Sequence, residues 1–326
     1  MIKSSDISVV YAGGYTPIAK SQEEAQQQAQ KGNYEFHSVL MTTKKLLPDA
    51  EFILATNNIT EELEPEVKQE LNQVIVTKDS KSLSLPEDVY TRTTNGFGYN
   101  WHLTKRDLTL NYNKMLLNNK EGCKLATRKY ILRLRTDMII TNPDFLNTFE
   151  DYQERRDPEF TILKNRVLGA SLFTIDARKW NIYLHHPSDW FNFGLREDVV
   201  DMWDLPLQDK IDKTPDPLFR SMLDTRLIPE TYIWYSFLIK KGFKQGAGKA
   251  KALGMLDKKP SKTSKLPHIV QYSNEEIIRS HKLLFNNFIP IDSSPVNYFS
   301  LKKRADWLGH NSIYSFASFL KDYYNN

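Results

Sequence analysis

The first 80 residues alternate between apolar runs typical of strands and segments typical of helices, and this alternation constrains the fold more than any other feature. Buried strands are predicted at Ile7–Ala12, Glu51–Thr56 and residues 74–77, which are rich in β-branched and aliphatic side chains. Residues 36–47 have a helical apolar period that Pro48 ends, and an acidic helix is predicted around residues 61–72. Strands that alternate with helices form parallel sheets, so the pattern predicts an α/β fold.

Composition excludes several classes of protein. Hydrophobic residues make up 40% of the 326 residues and charged residues 26%, which is enough to bury a core and is unlike a disordered chain. The single cysteine, Cys123, excludes intramolecular disulfides and a multi-cysteine zinc site. No apolar run reaches the ~20 residues of a membrane span, and residues 1–6 lack the apolar core of a secretory signal, so we expect a cytoplasmic protein. The net charge of +4 is too small to predict a nucleic-acid partner.

Small and polar residues follow the predicted strands. Ligands of parallel sheets bind outside the carboxyl ends of the strands, so these residues are candidates for a nucleotide site. The alternative is that they only form turns. They are Gly13, Gly14 and Tyr15 after the first strand, Thr56 and Asn57 at the end of the second, and Asp79 after the third.

The segment from 129 to 140, KYILRLRTDMII, has strand character and carries unusual charges. Alternation puts Arg133, Arg135 and Asp137 on one face, where unpaired charges are costly if buried. One interpretation is an edge strand with a solvated face or a structural arginine–aspartate pair. The other is an anion site, in which Arg135 binds a phosphate and Asp137 holds a divalent cation.

Further along, the sequence predicts a helix over residues 108–117 that carries Asn113 and Lys114, and a hairpin formed by residues 160–163 and 172–175. Helices are also predicted at residues 198–203, 229–239 and 275–287. The chain has no phosphate-loop motif, no G-x-G-x-x-G, no G-x-S-x-G and no H-x-x-x-H spacing.

These features together match a sugar-nucleotide transferase. The nucleotide would lie over the strand ends, a metal on Asp137 would hold the diphosphate, and a carboxylate from the second half would deprotonate the acceptor hydroxyl. Aromatic rings such as Trp190 and Phe193 would pack on sugar faces.

A lysine-rich stretch, Lys240 to Lys265, contains nine lysines and one acidic residue, Asp257. We expect it to be a surface loop that contacts anionic lipid, which attracts basic segments by roughly 1 kcal/mol per Lys or Arg.

Seven segments in family order resemble the WavE family of lipopolysaccharide-synthesis proteins. Lys114 stands where the family has arginine, and Gly13-Gly14 where it has Gln-Gly. The segments are residues 7–10 (ISVV), 48–56 (PDAEFILAT), 111–114 (NYNK), 129–137 (KYILRLRTD), 187–195 (PSDWFNFGL), 229–232 (PETY) and 286–288 (NNF).

The resemblance implies one GT-A-like domain, a Rossmann-like and mostly parallel sheet flanked by helices, spanning residues 1–326. Residues 1–140 would form the nucleotide-binding half, and 141–326 the acceptor-binding half with C-terminal helices. GT-A enzymes end the equivalent strand with Asp-x-Asp, where this chain has Arg135-Thr136-Asp137. Either Asp137 holds Mg²⁺ or Mn²⁺ with phosphates and water, or Arg135 binds the diphosphate without a metal.

On this basis we expect a glycosyltransferase at the inner membrane face that moves a sugar from a nucleotide-sugar to a lipopolysaccharide, capsule or other surface-glycan acceptor, either lipid-linked or a free oligosaccharide. The alternatives are transfer of a sugar phosphate or alditol phosphate, and a non-catalytic module that binds anionic glycans or membranes. Asp189 and Glu230 are the candidate bases, with Glu197 and Asp198 as alternatives. Asp189 and Glu230 would otherwise only stabilise the start of a helix. The nucleotide would contact Asn113, Lys114 and Arg135 besides the strand ends, and the acceptor or sugar would contact His186, Ser188 and Trp190.

Overall fold

The computed structural model describes most of the chain. The described residues are 1–30, 35–59, 62–77, 90–94, 99–103, 112–179, 184–207, 229–242, 251–252, 270–271, 273–292, 298–300 and 313–325.

The strands in these ranges are β1 (Ile7–Ala12), β2 (Glu51–Thr56), β3 (Gln73–Val76), β4 (Tyr90–Thr94), β5 (Tyr99–Leu103), β6 (Tyr130–Leu134), β7 (Met138–Ile140), β8 (Val167–Ala170), β9 (Phe191–Leu195), β10 (Lys251–Ala252), β11 (Val270–Gln271), β12 (Phe288–Ile291) and β13 (Tyr298–Ser300). The α-helices are α1 (Gln22–Gln30), α2 (Phe36–Leu46), α3 (Pro65–Lys68), α4 (Tyr112–Leu125), α5 (Phe145–Asp151), α6 (Arg196–Trp203), α7 (Pro229–Lys240), α8 (Asn274–Asn287) and α9 (Phe316–Asn325). Short 3₁₀ turns form at Ser4–Asp6 and Pro158–Phe160.

A seven-stranded sheet organises the fold, in the order β12-β8-β9-β6-β1-β2-β3. Every neighbouring pair is parallel except β6–β9 and β8–β9, so β9 alone runs against the others. This mostly parallel sheet confirms the predicted α/β, Rossmann-like fold. Among the described residues, three antiparallel pairs, β4–β5, β7–β13 and β10–β11, lie outside it.

Helices cover both faces of the sheet, which explains the unbroken apolar runs of its central strands. All six residues of β1 and of β2 are buried. On one face, Gly122 of α4 lies so close that a Cβ there would be 2.8 Å from both Val10 and Ala55. On the other face, Phe36 of α2 packs edge-on against Tyr11, with ring centroids 5.0 Å apart.

The predicted strand at residues 129–140 is two strands, β6 and β7, separated by a turn. The Met138 backbone N–H donates to the Arg135 carbonyl across this turn, at 3.2 Å. Of the predicted helix at 108–117, residues 108–111 lie outside the described residues, and α4 covers the remainder and continues past it to Leu125. The acidic helix predicted around residues 61–72 is limited to α3.

The predicted hairpin of residues 160–163 and 172–175 does not form. The backbone N–H groups of Ile162 and Leu163 donate to the Asn287 side chain, at 2.8 and 3.0 Å, instead of to a neighbouring strand. The strand of this region is β8, which pairs with β9 and β12, while Ile175 forms only an isolated bridge with Ile313.

A buried arginine fixes the start of β8. Arg166 is inaccessible to solvent and donates to the backbone carbonyls of Phe285, Tyr152, Glu154 and Arg155, at 2.6 to 2.9 Å. Burial lowers its pKa to about 10. One side chain therefore joins β8, the end of α8 and the segment after α5.

Candidate active site

Four chain segments meet at the carboxyl edge of the sheet. Residues 13–15 follow β1, Asn57 follows β2, and residues 135–137 follow β6. Because β9 is antiparallel to β6 and Phe191 pairs with Leu134, the residues that precede β9 lie beside those that follow β6. The reversed strand thus brings residues 188–190 to the edge where ligands of parallel sheets bind.

The loops after β1 and β2 are joined by Asn58, a residue that sequence reasoning missed. Its side-chain oxygen accepts from the Tyr15 backbone N–H at 2.6 Å and from the Thr56 hydroxyl at 2.7 Å. Its amide nitrogen donates to the Tyr15 carbonyl at 2.9 Å. The signal was the Asn57-Asn58 pair, since asparagine side chains commonly bond to backbone in turns.

The loops after β1 and β6 are also in contact. The Thr136 hydroxyl donates to the Gly14 carbonyl at 2.7 Å. A Cβ atom at Gly13 would lie 2.8 Å from the Thr136 oxygen, closer than real Cβ contacts. Glycine at position 13 is therefore needed for this approach.

The start of α4 lies at the same edge. Asn118 accepts from the Thr77 hydroxyl at 2.5 Å and donates to Asn57 at 3.5 Å, whereas Gly122, one turn later, lies against the middle of β1 and β2. The helix therefore runs away from the edge, and Asn113 and Lys114, more than one turn before Asn118, lie beyond the strand ends on the side where a ligand would bind. Asp79, the remaining predicted nucleotide contact, lies outside the described residues.

Arg135 lies at the centre of the edge and is paired with Asp137. Its Nε and one Nη donate to the two carboxylate oxygens at 2.9 Å each, and its guanidinium lies 5.2 Å from the centre of the Trp190 ring. Burial alone lowers the pKa of Arg135, yet this pKa lies above its ordinary value because Asp137 bonds to the guanidinium and attracts its charge. The negative charges of Asp189 and Glu230 act in the same direction.

The two candidate bases line one small pocket between β9, α6 and α7, which we term the Asp189–Glu230 pocket. Its walls combine these carboxylates with buried polar and aromatic side chains. The lining residues are Pro187, Ser188, Asp189, Asn192, Met202, Trp203, Glu230, Ile233, Trp234 and Phe288.

A second arginine positions the backbone of Asp189. Arg133 is 1% exposed, and it donates to the Asp189 carbonyl and to the Asn119 side chain. Its guanidinium stacks at 4.6 Å over the Trp203 ring. Burial lowers the pKa of Arg133 to about 10, although the charge of Asp189 opposes that shift. The buried guanidinium of Arg133 on β6 therefore holds the segment before β9 against the sheet.

The predicted acceptor contacts are largely buried. His186 Nδ1 lies 2.7 Å from the Phe173 carbonyl, and the Ser188 backbone N–H donates to the Thr174 hydroxyl at 2.9 Å. Trp190 is 5% exposed and is covered by Arg135. These contacts order the segment between β8 and β9.

The expectation that Phe193 packs on a sugar face is wrong. Phe193 is fully buried, and its ring stacks on Tyr130 and meets Phe145 and Phe149 edge-on at 5.1 Å. Its side chain points to the face opposite Asn192, since successive strand residues alternate.

Metal-binding and nucleophilic groups were searched among the described residues. No group of three or more His, Cys, Asp or Glu side chains is arranged there to hold a metal ion. Cys123 is buried in the core, which raises the pKa of its thiol to about 12 and opposes a nucleophilic role.

The lysine-rich stretch lies mostly outside the described residues, which include only 240–242 and 251–252 of it. At its start, Lys240 and Lys241 pair with Asp201. None of the helices in the described ranges has the length and apolarity needed to cross a bilayer.

A model of the family described as WavE lipopolysaccharide synthesis matches residues 9–241, well over half of the chain. No curated protein matches the sequence. The matched region contains most of β1, all of β2 and β6, the Arg135–Asp137 pair and both carboxylates of the Asp189–Glu230 pocket. The chain therefore belongs to the WavE lipopolysaccharide synthesis family, and this membership implies involvement in lipopolysaccharide synthesis.

Proposed function

We propose that the protein is a GT-A-like glycosyltransferase that moves a sugar from a nucleotide-sugar donor to a hydroxyl of a lipopolysaccharide or related surface-glycan acceptor. One observation carries this proposal. Arg135 lies among three carboxylates, Asp137, Asp189 and Glu230, at the carboxyl edge of a Rossmann-like sheet. Family membership supplies the biological setting.

The donor nucleotide would lie across the strand ends at residues 13–15 and Asn57, beside Asn113 and Lys114 at the start of α4. Loops at this edge bind nucleotides in doubly wound sheets. Two cationic side chains, Lys114 and Arg135, are available for the diphosphate, and arginine offers it a planar fork of donors.

The donor set fits a divalent cation that arrives with the diphosphate. Magnesium is commonly held by one or two carboxylates together with substrate phosphates, so the lack of a three-ligand cluster in the described chain does not oppose it. Asp137 would be its ligand, because its carboxylate follows β6 at this edge and carboxylate oxygens are ligands that magnesium prefers. The bound cation would neutralise charge on the departing diphosphate.

The acceptor side would use a carboxylate of the Asp189–Glu230 pocket as base. The acceptor oxygen attacks the anomeric carbon, its proton passes to the carboxylate, and the bond from that carbon to the nucleoside diphosphate breaks. Arg133 would hold Asp189 in position through its backbone carbonyl. The Arg135 guanidinium would stay close to the nucleoside diphosphate and stabilise its negative charge as it leaves.

A thermal-shift screen of UDP-, GDP-, CDP- and CMP-sugars, with and without Mn²⁺, tests the donor site. A ligand that binds only the folded state raises the unfolding midpoint by mass action. We expect one nucleotide class to raise the unfolding midpoint. Asp137→Asn should remove the part of this rise that depends on Mn²⁺. Glu66→Gln, an exposed carboxylate on α3, is the matched control. No shift with any nucleotide, together with salt-sensitive binding to anionic vesicles, would instead favour a non-catalytic membrane module.

Transfer itself is tested with the donor found in that screen. Asp189→Asn and Glu230→Gln keep the side-chain size, and loss of the true base lowers kcat by about 10²- to 10⁴-fold while donor binding remains. Full turnover in both variants would exclude the proposed acid–base chemistry. Phosphorus analysis of the product separates sugar transfer from transfer of a sugar phosphate.

A further inference from the structure

Two buried N–H donors on the wall of the Asp189–Glu230 pocket have no acceptor. Among the residues that the structure describes, neither Asn192 Nδ2 nor Trp234 Nε1 has a hydrogen-bond partner. Each residue is only 1% exposed. Since more than nine in ten buried polar groups in proteins are paired, two unpaired donors at one pocket indicate that something else supplies the acceptor.

Both donors are held in place by the surrounding packing. The other amide atom of Asn192, Oδ1, accepts from Trp203 Nε1 at 3.1 Å, which fixes the direction of the free Nδ2. The Trp234 ring meets Phe288 edge-on at 4.7 Å and stacks on Phe237 at 5.3 Å. Neither N–H can therefore turn toward another partner without disturbing the core.

The same pocket presents hydrogen-bond acceptors, the carboxylates of Asp189 and Glu230. An anionic ligand would be repelled by these carboxylates, and a metal cation would leave both N–H groups without an acceptor. A hydroxyl group satisfies both the N–H donors and the carboxylates, because its oxygen accepts from the N–H groups and it donates its own proton to a carboxylate.

The size of the pocket sets how much of a ligand enters it. About 10 Å³ is open to a water-sized oxygen, close to the volume needed for one such atom. Ile233 and Phe288 add apolar surface to its lining, which suits the carbon that bears a hydroxyl. A single hydroxyl fits, whereas a phosphate or a whole sugar ring does not.

We propose that the Asp189–Glu230 pocket receives one sugar hydroxyl, whose oxygen accepts hydrogen bonds from Asn192 Nδ2 and Trp234 Nε1. The hydroxyl donates its proton to one of the two carboxylates. This inference rests on the proposed function for assigning the hydroxyl to a substrate sugar, and it makes Asn192 and Trp234 the residues that select that hydroxyl.

The experiment follows the tryptophan indole N–H resonances of ¹⁵N-labelled full-length protein, six in all. The Trp234 resonance is assigned by its loss in Trp234→Phe. The probes are a panel of neutral monosaccharides, the four classes of sugar nucleotide, and the matching free nucleotides UDP, GDP, CDP and CMP. We expect the Trp234 resonance to move with a sugar or sugar nucleotide and to stay in place with the free nucleotides.

The pattern of response identifies the source of the hydroxyl. Movement with a sugar nucleotide alone assigns the hydroxyl to the donor, and movement with free sugars assigns it to the acceptor. Trp234→Phe keeps an aromatic ring but removes one hydrogen bond, so it should weaken binding of the responding probe about tenfold. Ile239→Leu, a conservative change at an exposed position of the same helix outside the pocket, should leave that affinity within about twofold.

Two results would overturn the inference. If sugar nucleotides stabilise the protein and the Trp234 resonance stays in place with every probe, the proposed function stands and the hydroxyl pocket does not. If the indole N–H contacts a long-lived water that no sugar displaces, the pocket is a structural water site. A response to free sugars without any nucleotide binding would support the pocket while rejecting the proposed donor.

Discussion

The coupling energy between Arg135 and Asp137 can be predicted from their geometry. Two charge-assisted hydrogen bonds of 2.9 Å join side chains that are 29% and 12% exposed. Exposed ion pairs contribute about 0.2–1 kcal/mol, and breaking a fully buried pair costs about 3–5 kcal/mol. This pair lies between those limits, so we expect a coupling of about 2 kcal/mol.

A double-mutant cycle measures this coupling. The free energy of unfolding in urea would be determined at pH 7 for the wild type, Arg135→Gln, Asp137→Asn and the double variant. Arg135→Gln should destabilise the protein more than Asp137→Asn does, because it leaves Asp137, Asp189 and Glu230 near one another without their shared cation. After Asp137→Asn, the guanidinium still has the Trp190 ring and two carboxylates close by.

A surface pair supplies the matched control. Lys164 and Glu197 form an ion pair, but their side chains are 67% and 52% exposed. Their coupling should stay below about 1 kcal/mol. A coupling below about 0.5 kcal/mol for Arg135 and Asp137, or a larger loss from Asp137→Asn than from Arg135→Gln, would refute this account of the site.

Three further predictions concern the scaffold. Gly122→Ala should lower the free energy of unfolding by about 1 kcal/mol or more, because overpacking against β1 and β2 outweighs the helix propensity of alanine; higher stability in urea would contradict this. Burial raises the pKa of Glu51, but hydrogen bonds from Ser8 and Thr127 bring it below the ordinary 4.5, so stability should fall as pH drops through that lowered pKa. Glu51→Gln should flatten this profile between pH 5 and pH 3, and an unchanged profile would exclude the assignment. Arg166→Met should cost about 2–3 kcal/mol, because one buried and three partly buried carbonyls lose their donor; a loss below 1 kcal/mol in urea would show that they find other partners.

Sequence periodicity predicted the strands that are buried on both faces. Ile7–Ala12 and Glu51–Thr56 are buried on both faces, so their unbroken apolar runs identify them without knowledge of their neighbours. The Arg135–Asp137 pair was among the alternatives weighed from the sequence, because its residues are close in the chain.

Features that depend on residues far away in the chain could not be predicted from local sequence patterns. Ile162 and Leu163 are apolar like a strand, but Asn287, more than a hundred residues later, takes their backbone N–H groups. Phe193 and Asn192 are adjacent, yet only the sheet decides that the phenylalanine enters the core and the asparagine lines the pocket. The alternation of side chains along a strand predicted that these two residues lie on opposite faces of the sheet, but it did not predict which face each helix covers.

The direction of β9 has a consequence for how such a protein diversifies. The chain leaves the sheet at the carboxyl end of β8, after Ala170, and re-enters at the amino end of β9, at Phe191, on the same edge. A connection that starts and finishes on one edge can be lengthened, shortened or exchanged without shifting the register of any strand. Under the proposed function, a graft of this connection from a relative, with Asp189 retained, would offer a route to a new acceptor while the loops after β1 and β2 remain as they are.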